Sequence, residues 1–140
     1  MQIIGTKINS IIEIAEGLLN FTDSFSLIIR EENDISDNIT KLLSALNSFL
    51  IEEKFVQEWP GTKLFGGKAK LYRYNLNSES ASILHRTEKN LFNWLQPELP
   101  EDLTFYKGRQ PVFISITHEK DAYFELDNDG INILKQRGLI

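Results

Sequence analysis

Residues 100–126 read PEDLTFYKGRQPVFISITHEKDAYFEL, and the period of their apolar side chains decides the fold. Leu103 and Phe105 alternate with Thr104 and Tyr106. Val112, Ile114 and Ile116 alternate with Phe113, Ser115 and Thr117, and Ala122, Phe124 and Leu126 alternate with Tyr123 and Glu125. Period two in β-branched and aromatic residues marks a strand with one face in a core. Three short antiparallel strands are expected, turning at residues 107–110 and again near His118. Pairing Phe105 with Val112 buries both. Keeping Ile114, Ile116, Ala122 and Phe124 on one face then calls for an odd-numbered second loop, because a slip of one residue sends a whole strand's side chains to the other face. Such a meander cannot hide its apolar face alone, so the rest of the chain must supply a cover.

Three helices meet that need. From about Thr6 to Leu19, Ile8, Ile11, Ile12, Ala15, Leu18 and Leu19 form one helical stripe. Ile39, Leu42, Leu43, Leu46, Phe49 and Leu50 form a second, after a start that Asp34 or Ser36 can cap. Asn77 to Leu95 forms a third, capped by Asn77 or Ser78 and closed by Pro97 and Pro100. Phe25, Leu27 and Ile29 alternate as a strand. Residues 53–59 and 68–76 read as a hairpin with the apolar tip Leu64-Phe65, and residues 131–136 as a short terminal helix. The expected fold is a single α+β domain over residues 1–140. Its largely antiparallel sheet, a hairpin plus a three-stranded meander, is covered by three amphipathic helices.

Composition narrows the function. There is no cysteine, hence no disulfide, thiol nucleophile or thiolate metal site. Glu13 and Glu16 interrupt the apolar run near the N-terminus, which resembles neither a signal peptide nor a membrane span, and a cytoplasmic setting is expected. The net charge of −5 is uneven: residues 1–60 carry four basic and ten acidic side chains, residues 61–140 eleven and ten. An acidic half opposes nucleic-acid binding, which depends on neutralising phosphate, and suits a basic protein partner or a well-solvated surface.

Four stretches invite a chemical interpretation. The loop PGTKLFGGK, residues 60–68, fails the phosphate-loop pattern, since Gly67 stands where its lysine belongs and a strand follows. Glu31, Glu32, Asp34 and Asp37 could gather a divalent ion, although helix capping accounts for them more simply. Glu125 to Gly130 imitates the start of a calcium loop, but Gln136 replaces its bidentate glutamate, and a turn with a helix cap fits better. The densest polar group is His118, Glu119 and Asp121. It could serve as a small metal-dependent hydrolase site, against which stands a charged turn whose neighbours point apart. No cofactor or metal is needed to complete the core.

Of the fifteen aromatic residues, twelve lie between Phe55 and Phe124. On the expected alternation Tyr106, Phe113 and Tyr123 project from the outer face of the meander beside Glu125, the composition of a protein-recognition patch. The segments WPGTKLFGGKAKLYRYNL, LFNWLQPELPEDLTFY and ISITHEKDAYFEL resemble a set of small uncharacterised bacterial proteins sometimes labelled as sporulation-related. In style the chain is similar to the immunity proteins of toxin systems. That resemblance implies a compact bacterial domain and carries no catalytic motif. The expected function is a non-enzymatic protein-binding domain of the immunity-inhibitor kind, with a homo-oligomer also open to it.

Overall fold

The meander forms where the alternation puts it, in a computed structural model that describes residues 1–140. Its strands are β7 (Glu101–Lys107), β8 (Gln110–Ile116) and β9 (Asp121–Leu126). They are part of a larger sheet that also holds β1 (Gln2–Gly5), β2 (Ser24–Arg30), β3 (Leu50–Val56) and β6 (Ala69–Asn75). Its seven strands run in the order β1-β9-β8-β7-β2-β6-β3, every neighbouring pair antiparallel. A separate two-stranded hairpin, β4 (Glu58–Trp59) and β5 (Thr62–Lys63), interrupts the connection from β3 to β6. The α+β class and antiparallel character hold, while one seven-stranded sheet replaces the expected hairpin plus meander.

The cover consists of four α-helices rather than three: α1 (Ile11–Leu18), α2 (Asp37–Leu46), α3 (Ser78–Thr87) and α4 (Asn128–Gln136). Ser36 caps α2 by accepting from the Asn38 N–H, and Asn77 caps α3 in a reciprocal box with Ser80. α3 ends at Thr87, well short of the expected Leu95, and the following residues make a single 3-10 turn at Leu91–Asn93. α4 begins earlier than the expected residue 131, because Asp127 accepts from the Gly130 N–H and nucleates the first turn. Ile11, Ile14 and Leu18 of α1, Leu42 and Leu46 of α2, Leu84 of α3, and Ile131 and Leu134 of α4 enter one core with the sheet. No helix is long and apolar enough to cross a membrane.

The register departs from expectation in β8. Phe105 pairs with Phe113, not Val112, and the register shifts between Phe105 and Tyr106. Val112 becomes an extra residue in the strand, so Val112 and Phe113 both enter the core. The second loop then holds four residues, Thr117 to Lys120, and Ile116 stands opposite Asp121. Phe113 is fully buried between Phe105 and Phe124, with ring centroids at 6.1 Å and 5.1 Å. Its outward placement, expected from plain alternation, is therefore corrected. The cause is packing: the shift brings an aromatic ring, larger than valine, into line with rings on both neighbouring strands.

Ile114 and Ile116 turn to the opposite, helix-free face, where the β4–β5 hairpin meets them. Gly61, at φ +89°, occupies the second central position of a Pro-Gly turn that favours glycine. A Cβ there would lie 3.0 Å from both isoleucines. Trp59, Ile28, Ala69 and Leu71 form a smaller core under this hairpin, with Leu64 packed against it. Phe65, expected at a hairpin tip, lies instead in the loop between β5 and β6 and is 96% exposed. Phe113→Ala should lower the unfolding free energy by about 3–5 kcal/mol in urea denaturation, and Phe65→Ala by less than about 0.5 kcal/mol. Equal, small effects would return Phe113 to the surface.

Candidate functional site

The polar groups of the chain gather where β7 begins. Opposite β2, the register slips between Ser26 and Ile28, leaving β7 one residue in excess, and Asp102 adopts the left-handed conformation at φ +56°. This costs roughly 1–2 kcal/mol for a residue with a Cβ. It sets two adjacent carboxylates, Glu101 and Asp102, inside the protein with no exposed surface. Buried charge is tolerated only when paired and hydrogen-bonded. All four oxygens are satisfied.

Glu101 Oε1 accepts from Arg30 Nε at 3.2 Å and lies 2.9 Å from His118 Nε2; Oε2 accepts from the Gln96 backbone N–H at 2.9 Å. Against a carboxylate oxygen, Nε2 is the imidazole nitrogen that carries the proton. Asp102 Oδ2 accepts from Trp59 Nε1 at 2.8 Å, and Oδ1 from the Thr117 backbone N–H at 2.8 Å. Thr117 Oγ1 accepts in return from the Asp102 N–H at 3.1 Å. The Gln96 side chain accepts from the Arg30 N–H at 2.7 Å and donates to the Arg30 carbonyl at 3.1 Å, pairing the last residue of β2 on the side where β7 has ended. Arg30 also lies over the Trp59 ring, 5.3 Å from its centroid. Together these contacts tie the end of β2, the β4–β5 hairpin, the loop before β7 and the β8–β9 turn.

His118 therefore has a carboxylate partner, but one seventeen residues away. Glu119 and Asp121 are both exposed, and no three His, Asp or Glu side chains gather as a metal ion would require. Sequence reasoning missed Glu101 and Asp102. Alternation gave no signal for them, because the extra residue in β7 pairs Glu101 with Ile28, on the face opposite Leu103.

The expected recognition patch divides. Tyr106 lies on the helix-free face, buried, with its hydroxyl 2.8 Å from Ser26 Oγ. Phe113 is in the main core and is replaced on that face by Ile114, the partner of Tyr123. Tyr123 and Glu125 are half-buried on the helix-free face, and Ile3 of β1, 70% exposed, pairs with Glu125. Burial raises the Tyr123 hydroxyl pKa above its ordinary value, and the charges of Glu125 and Asp121 add to the shift. A Cβ at Gly5, the partner of Tyr123, would meet nothing within 4 Å, so this flank of the tyrosine is open.

Two of the surface hollows border these elements. A cleft of about 890 Å³ between α2, the end of α3 and the Gln96-Pro97 turn is lined by Lys41, Arg86, Glu88 and Glu98 among others. No histidine lines it. On the helix-free face, a groove of about 360 Å³ runs beside Trp59, Tyr106, Arg73 and Arg109. No protein-family model, curated protein or solved structure matches the chain.

Removing one member of a buried ion pair is costly, so Glu101→Gln should destabilise by about 3 kcal/mol in urea denaturation. His118→Ala should cost less than about 1 kcal/mol, since the ring is about half exposed. Burial also raises the hydroxyl pKa of Tyr74 and Tyr106. The unfolded chain releases these protons near pH ~10 while the folded chain retains them. Stability is thus complete below that pH and falls as pH rises through the folded-state values. Tyr74→Phe should leave stability at pH 7 unchanged and flatten the alkaline decline in a denaturant series.

Proposed function

We propose that this chain is a non-enzymatic protein-binding domain of the immunity-inhibitor kind. The observation that carries it is the open end of the helix-free face, where Ile3, Tyr123 and Glu125 stand together in an acidic setting. Tyrosine offers large contact area with few rotatable bonds, an aliphatic neighbour widens it, and carboxylates favour a basic partner. The saturation of Glu101 and Asp102 supports the same reading, because their oxygens already hold the protein together. The acidic surplus of residues 1–60 adds long-range attraction toward a basic protein.

The partner surface is Ile3, Tyr123 and Glu125, with Tyr106 buried on the same face and bonded to Ser26 rather than free for contact. Co-expression with the products of the flanking genes should give a stable complex with one of them. Tyr123→Ala and Glu125→Lys should each weaken that complex at least about tenfold, with the unfolding midpoint unchanged. Added salt should weaken the wild-type complex further. Variants that bind as tightly as wild type would remove this surface from consideration.

A further inference from the structure

The cleft between α2, the end of α3 and the Gln96-Pro97 turn lies on the helix side of the sheet, away from Ile3, Tyr123 and Glu125. Its volume of about 890 Å³ is in the range of small-ligand sites. Leu42 and Leu99 are buried in its wall, and Ile83 and Phe92 add half-buried apolar surface. Ala45 lines it from an exposed position of α2.

Four charged side chains line the same cleft, two of each sign: Lys41, Arg86, Glu88 and Glu98. None of them forms an ion pair. The groove beside Trp59 differs, because there Glu52 is shared by Lys54 at 3.6 Å and Arg73 at 3.4 Å. In the cleft the carboxylates are held by neutral groups instead. Glu88 Oε2 accepts from the Asn90 N–H at 3.0 Å and from Asn93 Nδ2 at 3.3 Å, and Glu98 Oε2 accepts from Asn38 Nδ2 at 3.0 Å. Neutral donors fix the position of a carboxylate without cancelling its charge.

A simple anion entering the cleft meets two carboxylates, and a simple cation meets two basic groups. An uncharged molecule takes water from all four and returns nothing. The complement is a molecule with an apolar middle and one charge of each sign at its ends. A short peptide with free termini has that form, its ammonium and carboxylate about 10 Å apart over three extended residues. We infer that the cleft binds short apolar peptides with both termini free. The ammonium is drawn to Glu88 or Glu98, the carboxylate to Lys41 or Arg86, and the side chains lie against Leu42, Ile83 and Phe92.

Chemical-shift titration of the isotope-labelled protein with trileucine tests the assignment, at a pH of ~6 where both peptide termini are charged. The amides of Lys41, Ala45, Ile83 and Arg86 should shift together and saturate with a dissociation constant below about 1 mM. N-acetyl-trileucine and trileucine amide each lack one terminal charge and should bind at least about fivefold more weakly. In the double variant Lys41→Gln, Arg86→Gln, trileucine and its amide should bind alike, while the acetyl form stays weaker. Ala45→Trp, which fills the cleft from an exposed position, should remove binding and leave the shifts of the sheet unchanged. No saturable shift at the cleft up to ~10 mM trileucine overturns the inference. Equal affinity for free and capped peptides overturns it too, as does tighter binding of laurate, which has only a negative charge. These outcomes are read on the helix side of the sheet, so they stand or fall apart from the partner surface at Tyr123.

Discussion

One line of side chains crosses all seven strands, and the rest of the molecule is arranged around it. Ile4, Phe124, Phe113, Phe105, Phe25, Tyr74 and Leu50 are direct cross-strand partners, one from each strand in spatial order. The five rings lie 5.1 to 6.2 Å apart between centroids. Each aromatic pair adds about 0.5–1.5 kcal/mol beyond its burial. The line also sets register, because a slip in any strand would remove one ring from the row and open a void on both sides. The four helices lay their apolar stripes on this row.

The bulges follow from it. β8 accommodates Val112 as an extra residue so that Phe113 falls into line. β7 accommodates one more residue near Asp102, and the resulting bend carries Glu101 and Asp102 into the interior. Burying two adjacent carboxylates opposes folding unless every oxygen is met, and here Arg30, His118, Gln96, Trp59 and Thr117 meet them. The same contacts hold the β4–β5 hairpin against the helix-free face, which the helices do not reach. Half of that face is thereby covered. The other part, around Tyr123 and Ile3, remains uncovered.

Much of this was legible in the chain. The strands from Glu101 to Leu126, the start of the α2 stripe and the caps Ser36 and Asn77 each depend on residues close in sequence, and each appeared where the pattern put it, although α2 ends at Leu46 and Leu50, expected in its stripe, begins β3. β1 was not legible, because four residues with no clear alternation cannot be told from the start of a helix. The end of α3 was missed because Leu91, Phe92 and Leu95 keep helical spacing while Asn90 and Trp94 take bonds that a helix would forbid. For the site, His118 was legible as a titratable residue with a carboxylate nearby. Its true partner was not, since Glu101 reaches it across the paired β7 and β8 and only because the bulge in β7 turns that carboxylate toward the end of β8.

By itself the sequence determined the α+β class, the antiparallel meander and the amphipathic helices, because periodicity and capping are short-range matters of backbone geometry and side-chain polarity. Tertiary structure alone decided which face Phe113 and Ile114 took, and therefore which aromatic residues stay accessible. Alternation is blind to a single inserted residue. Whether a bulge forms depends on the rings waiting on neighbouring strands, and those strands lie far away in sequence.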